Sequence, residues 1–209
     1  MLAITSKVIS LSEGQVVPKT AIEKTALVKQ ESDQYLGEVG YGCHLTVKHG
    51  LFIPSAGIDE SNAEGDYYIL FPKDPYLTAH TIRDSLAREW GLINFGVIIT
   101  DSHTSPLRAG VTGITLAHSG FKGIENKVGT PDLFGRPLKM TRINAADALS
   151  TTAVYCMGES NECTPLAILR STGIVFEREH KERKTECAIP PEEDLYFPLY
   201  RKNEVRRDA

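Results

Sequence analysis

Residues 95–102 read Phe95-Gly96-Val97-Ile98-Ile99-Thr100-Asp101-Ser102. The first part is a nearly continuous apolar run, which is typical of a strand covered on both faces. A carboxylate follows at once, and ligands and metals often bind where the buried strands of mixed α/β sheets end. The stretch therefore predicts a buried strand over 95–100 with a candidate site at its end.

Two helices are predicted on either side of this strand. Asp74 and Pro75 supply a capping carboxylate and a proline at the first helical position, so a helix is expected over 75–90. Apolar residues at nearly helical spacing predict one buried face for it. That face is formed by Leu77, Ile82, Leu86 and Trp90. Residues 144–157 are rich in alanine at helical spacing, and Gly158 suits a helix C-terminus.

The remaining apolar segments predict strands. They lie at Leu2–Leu11, Leu45–Ile53 (a hairpin turning at His49-Gly50), Tyr67–Phe71, Val111–Ala117, Leu138–Ile143 and Pro165–Leu169. Residues 19–38 are polar without clear periodicity and are expected to form a loop or a short helix. Mixed strands with few helices indicate an α+β domain. Because the first strand begins almost at residue 1, we expect an upstream piece to be missing.

Composition narrows the class of protein. The chain has 209 residues with 27 acidic and 23 basic side chains, a formal charge of −4 that argues against a general nucleic-acid-binding face. No apolar run approaches the roughly 18 residues of a membrane span, and the N-terminus lacks the pattern of a signal peptide. The four cysteines form no Cys-x-x-Cys pair, which favours reduced thiols in a cytoplasmic protein.

Three carboxylates are candidate ligands of Mg²⁺ or Mn²⁺, which prefer oxygen donors. Asp101 follows the buried strand, and Asp59 lies in Ala56-Gly57-Ile58-Asp59-Glu60-Ser61-Asn62. An Asx turn is the alternative for each aspartate. Glu159 lies just beyond a helix C-terminus, where a negative charge is unfavourable unless a cation compensates for it; a solvated glutamate is the alternative.

Other common site types are not indicated. The six histidines lack the spacing of zinc ligands. Cys156 and Cys163 are expected to be small buried groups rather than nucleophiles. The sequence contains no Gly-x-Gly-x-x-Gly, no P-loop and no Gly-x-Ser-x-Gly motif.

Several segments, in the same order, resemble the coenzyme F420-0:L-glutamate ligase family, whose members are γ-glutamyl ligases acting on a deazaflavin coenzyme. The main ones are residues 56–62, Val97-Ile98-Ile99-Thr100-Asp101-Ser102 and Cys156-Met157-Gly158-Glu159. Further matches are Thr5–Ser10 with Ser12-Glu13-Gly14, Asp132–Leu138 and Ala146–Leu149. The similarity covers about residues 2–173, so the resemblance implies a γ-glutamyl ligase-like domain over 1–175 and a charged C-terminal extension over 176–209.

The resemblance implies a fold, a reaction and a set of site residues. The fold is a single mixed-sheet α+β domain in an intertwined homodimer. GTP, with ATP as the alternative, activates the acceptor's carboxylate as an acyl phosphate, and the amine of L-glutamate then displaces phosphate. Asp59 and Asp101 are implied ligands of one Mg²⁺ or Mn²⁺ ion, and Ser102 and Glu159 of a second; Arg108 is counted with both aspartates as catalytic. The implied nucleotide contacts are Thr5, Ser6, Asn62, Met157, Gly158, Ser160, Asn161, Glu162, Cys163 and Thr164.

Three departures from the family pattern bear on function. Leu11 stands where the family has a nucleotide-contacting lysine, and Lys7 could partly replace it if the two share a face of a regular strand. A family segment that precedes the first strand and adds to the nucleotide site is not found here. The form Asp101-Ser102-His103-Thr104-Ser105-Pro106-Leu107-Arg108 resembles a branch proposed to act on folates.

The residues are compatible with more than one function. The acceptor is either coenzyme F420-0 or a folate, with L-glutamate and GTP as the other substrates. A homologue that binds nucleotide or cofactor without turnover is the second hypothesis, motivated by Leu11. A metal-dependent hydrolase using His103 beside Asp101 is the third. The basic tail at 201–207 is expected to be solvated.

Overall fold

The computed structural model describes residues 1–62, 65–177 and 186–200. The chain divides into two compact units. The first unit contains Met1–Thr5, Asp74–Ser102 and Thr112–Cys187, and the second contains Ser6–Lys73, His103–Val111 and Ala188–Ala209. Strands and helices are mixed along the chain, which confirms the α+β class.

The structure assigns the following elements within the described residues. The strands are β1 (Leu2–Thr5), β2 (Val16–Pro18), β3 (Gln34–Glu38), β4 (His44–Lys48), β5 (Leu51–Pro54), β6 (Tyr67–Ile69), β7 (Val97–Thr104), β8 (Val111–Ser119), β9 (Ile124–Asn126), β10 (Arg142–Asn144) and β11 (Leu166–Ile168). The helices are α1 (Ser6–Ser12), α2 (Lys24–Glu31), α3 (Pro75–Trp90), α4 (Ala145–Met157) and α5 (Phe197–Tyr200).

The largest sheet has the strand order β11-β1-β7-β8. β1 pairs with β7 in parallel and with β11 antiparallel, so this sheet is mixed as predicted. Elsewhere in the described residues the strands form three small sheets, whose recorded pairings are antiparallel, instead of joining one sheet. Their strands are only three to five residues long, and each of these sheets has only two or three strands.

The predicted buried strand is the centre of the first unit. Val97, Ile98 and Ile99 are fully buried, as the apolar run indicates. The strand continues to Thr104, however, and in its second half residues 101–103 are only half-buried and Thr104 is exposed. Asp101 therefore lies where β7 emerges from the core, and the prediction that the strand ends at residue 100 is wrong.

Helix α3 has the predicted boundaries but a different buried face. Asp74 accepts a hydrogen bond from the Leu77 N–H at 3.0 Å, and Gly91 ends the helix in the left-handed conformation. Its buried residues are Pro75, Ala79 and Arg83, whereas Leu77 and Trp90 are exposed. A spacing of five residues turns a helix by about 500°, so Leu77 and Ile82 cannot share one face.

Helix α4 follows its sequence signals closely. The Asn144 side chain accepts from the Asp147 N–H, and Gly158 caps the C-terminus. Ala153, Val154 and Met157 pack with Ala3 of β1 in one core cluster of the first unit.

The second unit contains the predicted hairpin. β4 and β5 pair antiparallel and turn at His49 and Gly50, both with positive φ. Within residues 19–38 the chain forms α2, capped by Glu23, and then β3, which is more regular than the loop or short helix expected. Leu27, Val28, Ile58 and Tyr68 form a buried cluster of this unit.

The structure corrects the prediction of a single strand over Leu2–Leu11. It is a strand only to Thr5, and α1 begins at Ser6. Ser6, Ile9 and Ser10 are its buried residues, which is an i, i+3, i+4 pattern, and the two serines are small enough for close packing. The apolar pattern of the sequence does not indicate this helix face, because two of its three buried residues are polar serines.

Several predicted strands differ in length. Those expected over 67–71, 111–117, 138–143 and 165–169 are observed as β6, β8, β10 and β11. Part of the charged segment expected from 176, and all of the basic tail at 201–207, lie outside the described residues. Among the helices of the described residues, none is long and apolar enough to cross a membrane.

Candidate functional site

The end of β1 lies between two predicted site segments in the first unit. Thr5 is the register partner of Thr100 on β7, so Asp101 is the next residue along the neighbouring strand. On the other side, the Thr5 N–H donates to the Pro165 carbonyl at 3.0 Å. The structure thus brings together Thr5, the strand that carries Asp101 and the chain that follows α4.

The loop after α4 is held in one shape by its own contacts. Gly158 has φ 84° and ψ 168°, a conformation that is essentially restricted to glycine. A Cβ at this position would lie 2.2 Å from the Glu162 carboxyl carbon. Glu162 accepts from the Ser160 N–H at 2.8 Å, and the Thr164 hydroxyl donates to the Met157 carbonyl. The predicted nucleotide segment is therefore a compact loop with exposed Ser160, Asn161 and Cys163.

The predicted ligands of this unit lie on these elements. Asp101 and Ser102 are half-buried on β7, and Asp101 Oδ1 accepts from the Ser102 N–H at 2.8 Å. Glu159 is exposed at the start of the loop. This hydrogen bond runs to the next residue, whereas the Asx turn considered as the alternative would bond the N–H two residues on.

Asp59 begins a tight turn in the second unit. Its Oδ1 accepts from the Glu60 N–H at 2.6 Å, the Ser61 N–H at 2.8 Å and the Ser61 hydroxyl at 2.9 Å. Its backbone pairs with Ile69 in both directions, which attaches the turn to the end of β6. Asn62 follows with φ 55°, a left-handed conformation that asparagine tolerates.

The other oxygen of Asp59 binds a lysine. Lys7 Nζ lies 2.6 Å from Oδ2. Partial burial favours the neutral carboxyl, but the Lys7 hydrogen bond, the Ser61 N–H and the Lys7 charge outweigh it and hold the pKa of Asp59 below its ordinary value. The carboxylate is therefore ionised and already holds a cation. Spacing along the chain could not predict this pair, because the fold brings Lys7 to Asp59.

Two more lysines hold the same turn. Lys19 Nζ lies 3.0 Å from Glu60 Oε2, and Lys24 contacts Glu60 Oε1. These ion pairs with both lysines keep the pKa of Glu60 below its ordinary value. Nothing in the spacing of Lys19 and Lys24 could have predicted this, because they are brought to Glu60 by the fold.

A strained turn precedes Asp59. Ser55, Ala56 and Gly57 all have φ between 50° and 69°, a region that costs about 1–2 kcal/mol for each non-glycine residue. The Thr46 hydroxyl, fully buried on β4, accepts from the Ala56 N–H at 2.8 Å and fixes this conformation. Backbone strain that the surroundings maintain is a feature of functional sites, and it supports a role for the residues that follow.

The remaining predicted site residues lie in the second unit. Ser6 is buried at the start of α1. Arg108 is exposed in a turn in which its N–H donates to the Ser105 carbonyl at 3.2 Å. Of the two predicted ligands of the first ion, Asp59 lies in the second unit and Asp101 in the first.

The donors suit a hard divalent cation. Among the described residues, no three histidine, cysteine, aspartate or glutamate side chains converge on one metal position. Mg²⁺ usually needs only one or two carboxylates, however, because water and substrate phosphates complete its shell. Asp59, Asp101, Ser102 and Glu159 supply oxygen alone, and Asp59 already binds a cation in Lys7. These residues fit Mg²⁺ or Mn²⁺.

The cysteines correct a prediction. The cysteines at 43, 156, 163 and 187 are all free thiols. Cys156 and Cys163 are exposed, so the expectation that they are buried is wrong. Helix α4 buries Ala153, Val154 and Met157, and this leaves Cys156 on another face.

Comparison with known proteins gives a consistent result. The family model for F420-0:Gamma-glutamyl ligase matches residues 1–171. The coenzyme F420:L-glutamate ligase of Methanopyrus kandleri is 34% identical, over 94% of this chain and 84% of its own length. The enzyme of Methanococcus maripaludis strain C7 is 35% identical, over 84% of this chain and 77% of its own length. That of Methanocaldococcus jannaschii is 33% identical, over 94% of this chain and 84% of its own length. The family resemblance drawn from the motifs is confirmed, as is the class of enzyme, a ligase that forms a γ-glutamyl bond: the chain belongs to the F420-0:gamma-glutamyl ligase family.

Proposed function

We propose that this chain is a metal- and GTP-dependent γ-glutamyl ligase that joins the amine of L-glutamate to a carboxylate of coenzyme F420-0 or of a folate. The observation that supports it most is the pairing of β1 with β7, which places Thr5 beside the strand of Asp101 and the loop after α4. The names of the relatives favour the deazaflavin acceptor. The segment from Asp101 to Arg108 favours a folate.

The proposed reaction has two steps. The acceptor's carboxylate attacks the γ-phosphorus of GTP, which forms an acyl phosphate and releases GDP. The glutamate amine then attacks the acyl carbon and loses a proton, and phosphate leaves as the amide forms. Two bound Mg²⁺ or Mn²⁺ ions would neutralise the triphosphate charge.

We assign one group of residues to binding the metal ions and another to binding the nucleotide. We assign Asp59 and Asp101 to one ion and Ser102 and Glu159 to the other. Thr5, Ser6, Asn62 and the loop from Met157 to Thr164 hold the nucleotide, since hydroxyls, amides and backbone N–H groups suit phosphate and base atoms. The Arg108 guanidinium would bind the reacting carboxylate or phosphate.

Mass spectrometry tests this function directly. Reactions contain Mn²⁺ or Mg²⁺, L-glutamate, GTP or ATP, and either coenzyme F420-0 or a folate. A glutamyl mass increment that requires nucleotide would establish the ligase and identify its acceptor and nucleotide. No increment on either acceptor would refute the proposed substrates.

One feature favours a second candidate, a homologue that binds nucleotide without turnover. Leu11 is exposed on α1 where the family has a nucleotide-contacting lysine, so this chain lacks one phosphate contact. In this case nucleotide binds but no nucleoside diphosphate is released. Steady release in the presence of acceptor and glutamate would eliminate this candidate.

Restoring the lysine should strengthen nucleotide binding. The segment is a helix rather than the strand expected, yet Lys7 and Leu11 still share a face because they are four residues apart. Leu11→Lys is expected to lower the Kd for GTP about fivefold, since an exposed charge pair contributes up to about 1 kcal/mol. Calorimetric titration measures this, with Gln30→Lys on α2 as the control for net charge. Equal affinities in both variants would show that the phosphates do not lie near Leu11.

Thiol labelling locates the nucleotide. Iodoacetamide should modify the exposed Cys156 and Cys163 at neutral pH and Cys187 much more slowly. Burial, together with the charges of Asp147 and Glu186, raises the pKa of Cys187 to about 12. GTP with Mn²⁺ should protect Cys163, which lies in the nucleotide loop, whereas Cys156 just before it serves as the internal control. Peptide mass spectrometry follows each site, and unprotected Cys163 would contradict the assignment of this loop.

Quaternary structure and location complete the proposal. We place the enzyme in the cytoplasm, where the four free thiols would stay reduced. We also propose an intertwined homodimer, so light scattering should give twice the chain mass of 23.0 kDa.

A further inference from the structure

The Lys7 ammonium lies in a small cage of oxygen atoms in the second unit. Its Nζ is 2.6 Å from Asp59 Oδ2, 3.0 Å from the Ser61 carbonyl oxygen and 3.1 Å from the Ser61 hydroxyl. An ammonium has three N–H donors, and these three oxygens can use all of them. The cage is therefore a complete site for a single positive charge.

The same oxygen types bind hard divalent cations. Because Oδ1 of Asp59 already accepts three hydrogen bonds within the turn, Oδ2 is the oxygen on which a cation would bind. That oxygen holds Lys7. A divalent ion on Oδ2 would bring two positive centres to one carboxylate oxygen, and their repulsion opposes simultaneous binding.

We propose that Lys7 is a tethered counter-ion that competes with the divalent metal for Oδ2 of Asp59, so that metal binds only as Lys7 leaves the cage. This inference rests on the proposed metal role of Asp59. It also gives Ser61 a function, because its carbonyl and hydroxyl hold the ammonium in place when no metal is bound.

A consequence for binding order follows. In the nucleotide-free protein Lys7 occupies the cage, and metal affinity is weak. Nucleotide phosphates offer the displaced ammonium a new anionic partner, so metal and nucleotide should each strengthen the binding of the other. By linkage the two factors are equal.

Titration of the nucleotide-free protein with Mn²⁺, followed by the electron paramagnetic resonance signal of the free ion, tests the competition. Lys7→Met removes the competing charge and should tighten Mn²⁺ binding about 5- to 50-fold, the usual size of a coupling between two ligands. Lys7→Arg keeps the charge and can bind the carboxylate in bidentate fashion, so it should give no gain. The gain in Mn²⁺ affinity that GTP produces should be smaller in Lys7→Met than in the unmodified protein.

A matched control and a ligand variant separate the outcomes. Lys19→Met removes another lysine that pairs with the same turn through Glu60, and its Mn²⁺ affinity should stay within about twofold of the original. Unchanged or weaker binding by Lys7→Met, or an equal gain in Lys7→Arg, would overturn the competition. If instead Asp59→Asn binds Mn²⁺ as tightly as the unmodified protein, the proposed metal role of Asp59 fails. Circular dichroism confirms that each variant is folded, and Lys7→Gln replaces Lys7→Met if the latter is not.

Discussion

Asparagine in place of Asp101 is expected to reduce the rate of glutamate ligation about 100- to 1000-fold while the protein stays folded. The loss is the usual effect of removing one group that stabilises charge in a preorganised site. The fold should persist because an asparagine oxygen can still accept from the Ser102 N–H, as Asp101 Oδ1 does at 2.8 Å. Nucleoside diphosphate release, measured with saturating acceptor and glutamate, gives the rate, and a melting curve gives the stability.

The same experiment on a surface aspartate shows whether the loss is specific. Asp66 forms a pair at 3.3 Å with Lys19 and is exposed, so Asp66→Asn should keep the original rate. Asp59→Asn should lose activity to a similar extent as Asp101→Asn, since both are assigned to one ion. Full activity in either of these two site variants would refute the metal assignment for that residue.

Alanine at Gly57 is expected to destabilise the protein by about 2–5 kcal/mol. Its Cβ would lie 2.0 Å from Cζ of the buried Phe71 ring, and its φ is 69°. Overpacking costs about 1–3 kcal/mol, and the left-handed conformation adds about 1–2 kcal/mol. Because Asp59 lies two residues further on, movement of this turn should also weaken Mn²⁺ binding. Thermal unfolding should show a Tm lowered by roughly 10 °C.

Gly129 provides the matched control for the backbone. Its φ is 86°, and a Cβ there would have no neighbour within 4 Å. Gly129→Ala should therefore cost only the conformational part, about 1–2 kcal/mol. The difference between the two variants measures the clash with Phe71. Equal losses of stability would mean that the ring moves away at little cost and that the turn is less constrained than its contacts indicate.

The two aspartates assigned to one ion differ in their surroundings. Asp101 lies on a regular strand where β7 leaves the core, so its position follows from the sheet. Asp59 lies in a turn that is held by Lys7, by lysine pairs on Glu60 and by the strained residues before it. Regular structure thus positions Asp101, whereas several weaker contacts position Asp59. A mutation away from the site, at Thr46 for example, would act on Asp59 through this turn.

Much of the local structure could be predicted from the sequence. The capping Asp74-Pro75 pair and Gly91 bound α3, Asn144 and Gly158 bound α4, and His49-Gly50 marks the hairpin. These signals act between atoms a few residues apart, so they can be recognised without knowing the fold. The apolar run at 97–99 likewise predicted its own burial. The motifs, in their order along the chain, also predicted the family, because a motif is recognised from its residue types without knowledge of the fold.

The tertiary structure decided the features that depend on distant partners. Residues 6–12 form a helix because packing buries Ser6, Ile9 and Ser10. Two of these three residues are polar serines, so the sequence does not show a buried helix face here. Leu77 and Trp90 are exposed on α3 because the packing selects the face of Pro75, Ala79 and Arg83. The burial of a given helix face depends on what covers it, which the helix sequence alone does not specify.

The same distinction holds for the candidate site. The sequence by itself determined which residue types could bind metal and nucleotide, and it named Asp59, Asp101 and the loop after α4. Only the tertiary structure placed Thr5 beside Thr100 and Pro165, and Lys7 in the cage formed by Asp59 and Ser61. Lys7 and Ser61 are 54 residues apart, and a contact over such a separation is set by how strands and helices pack, since the closure of so long a loop favours no particular pair.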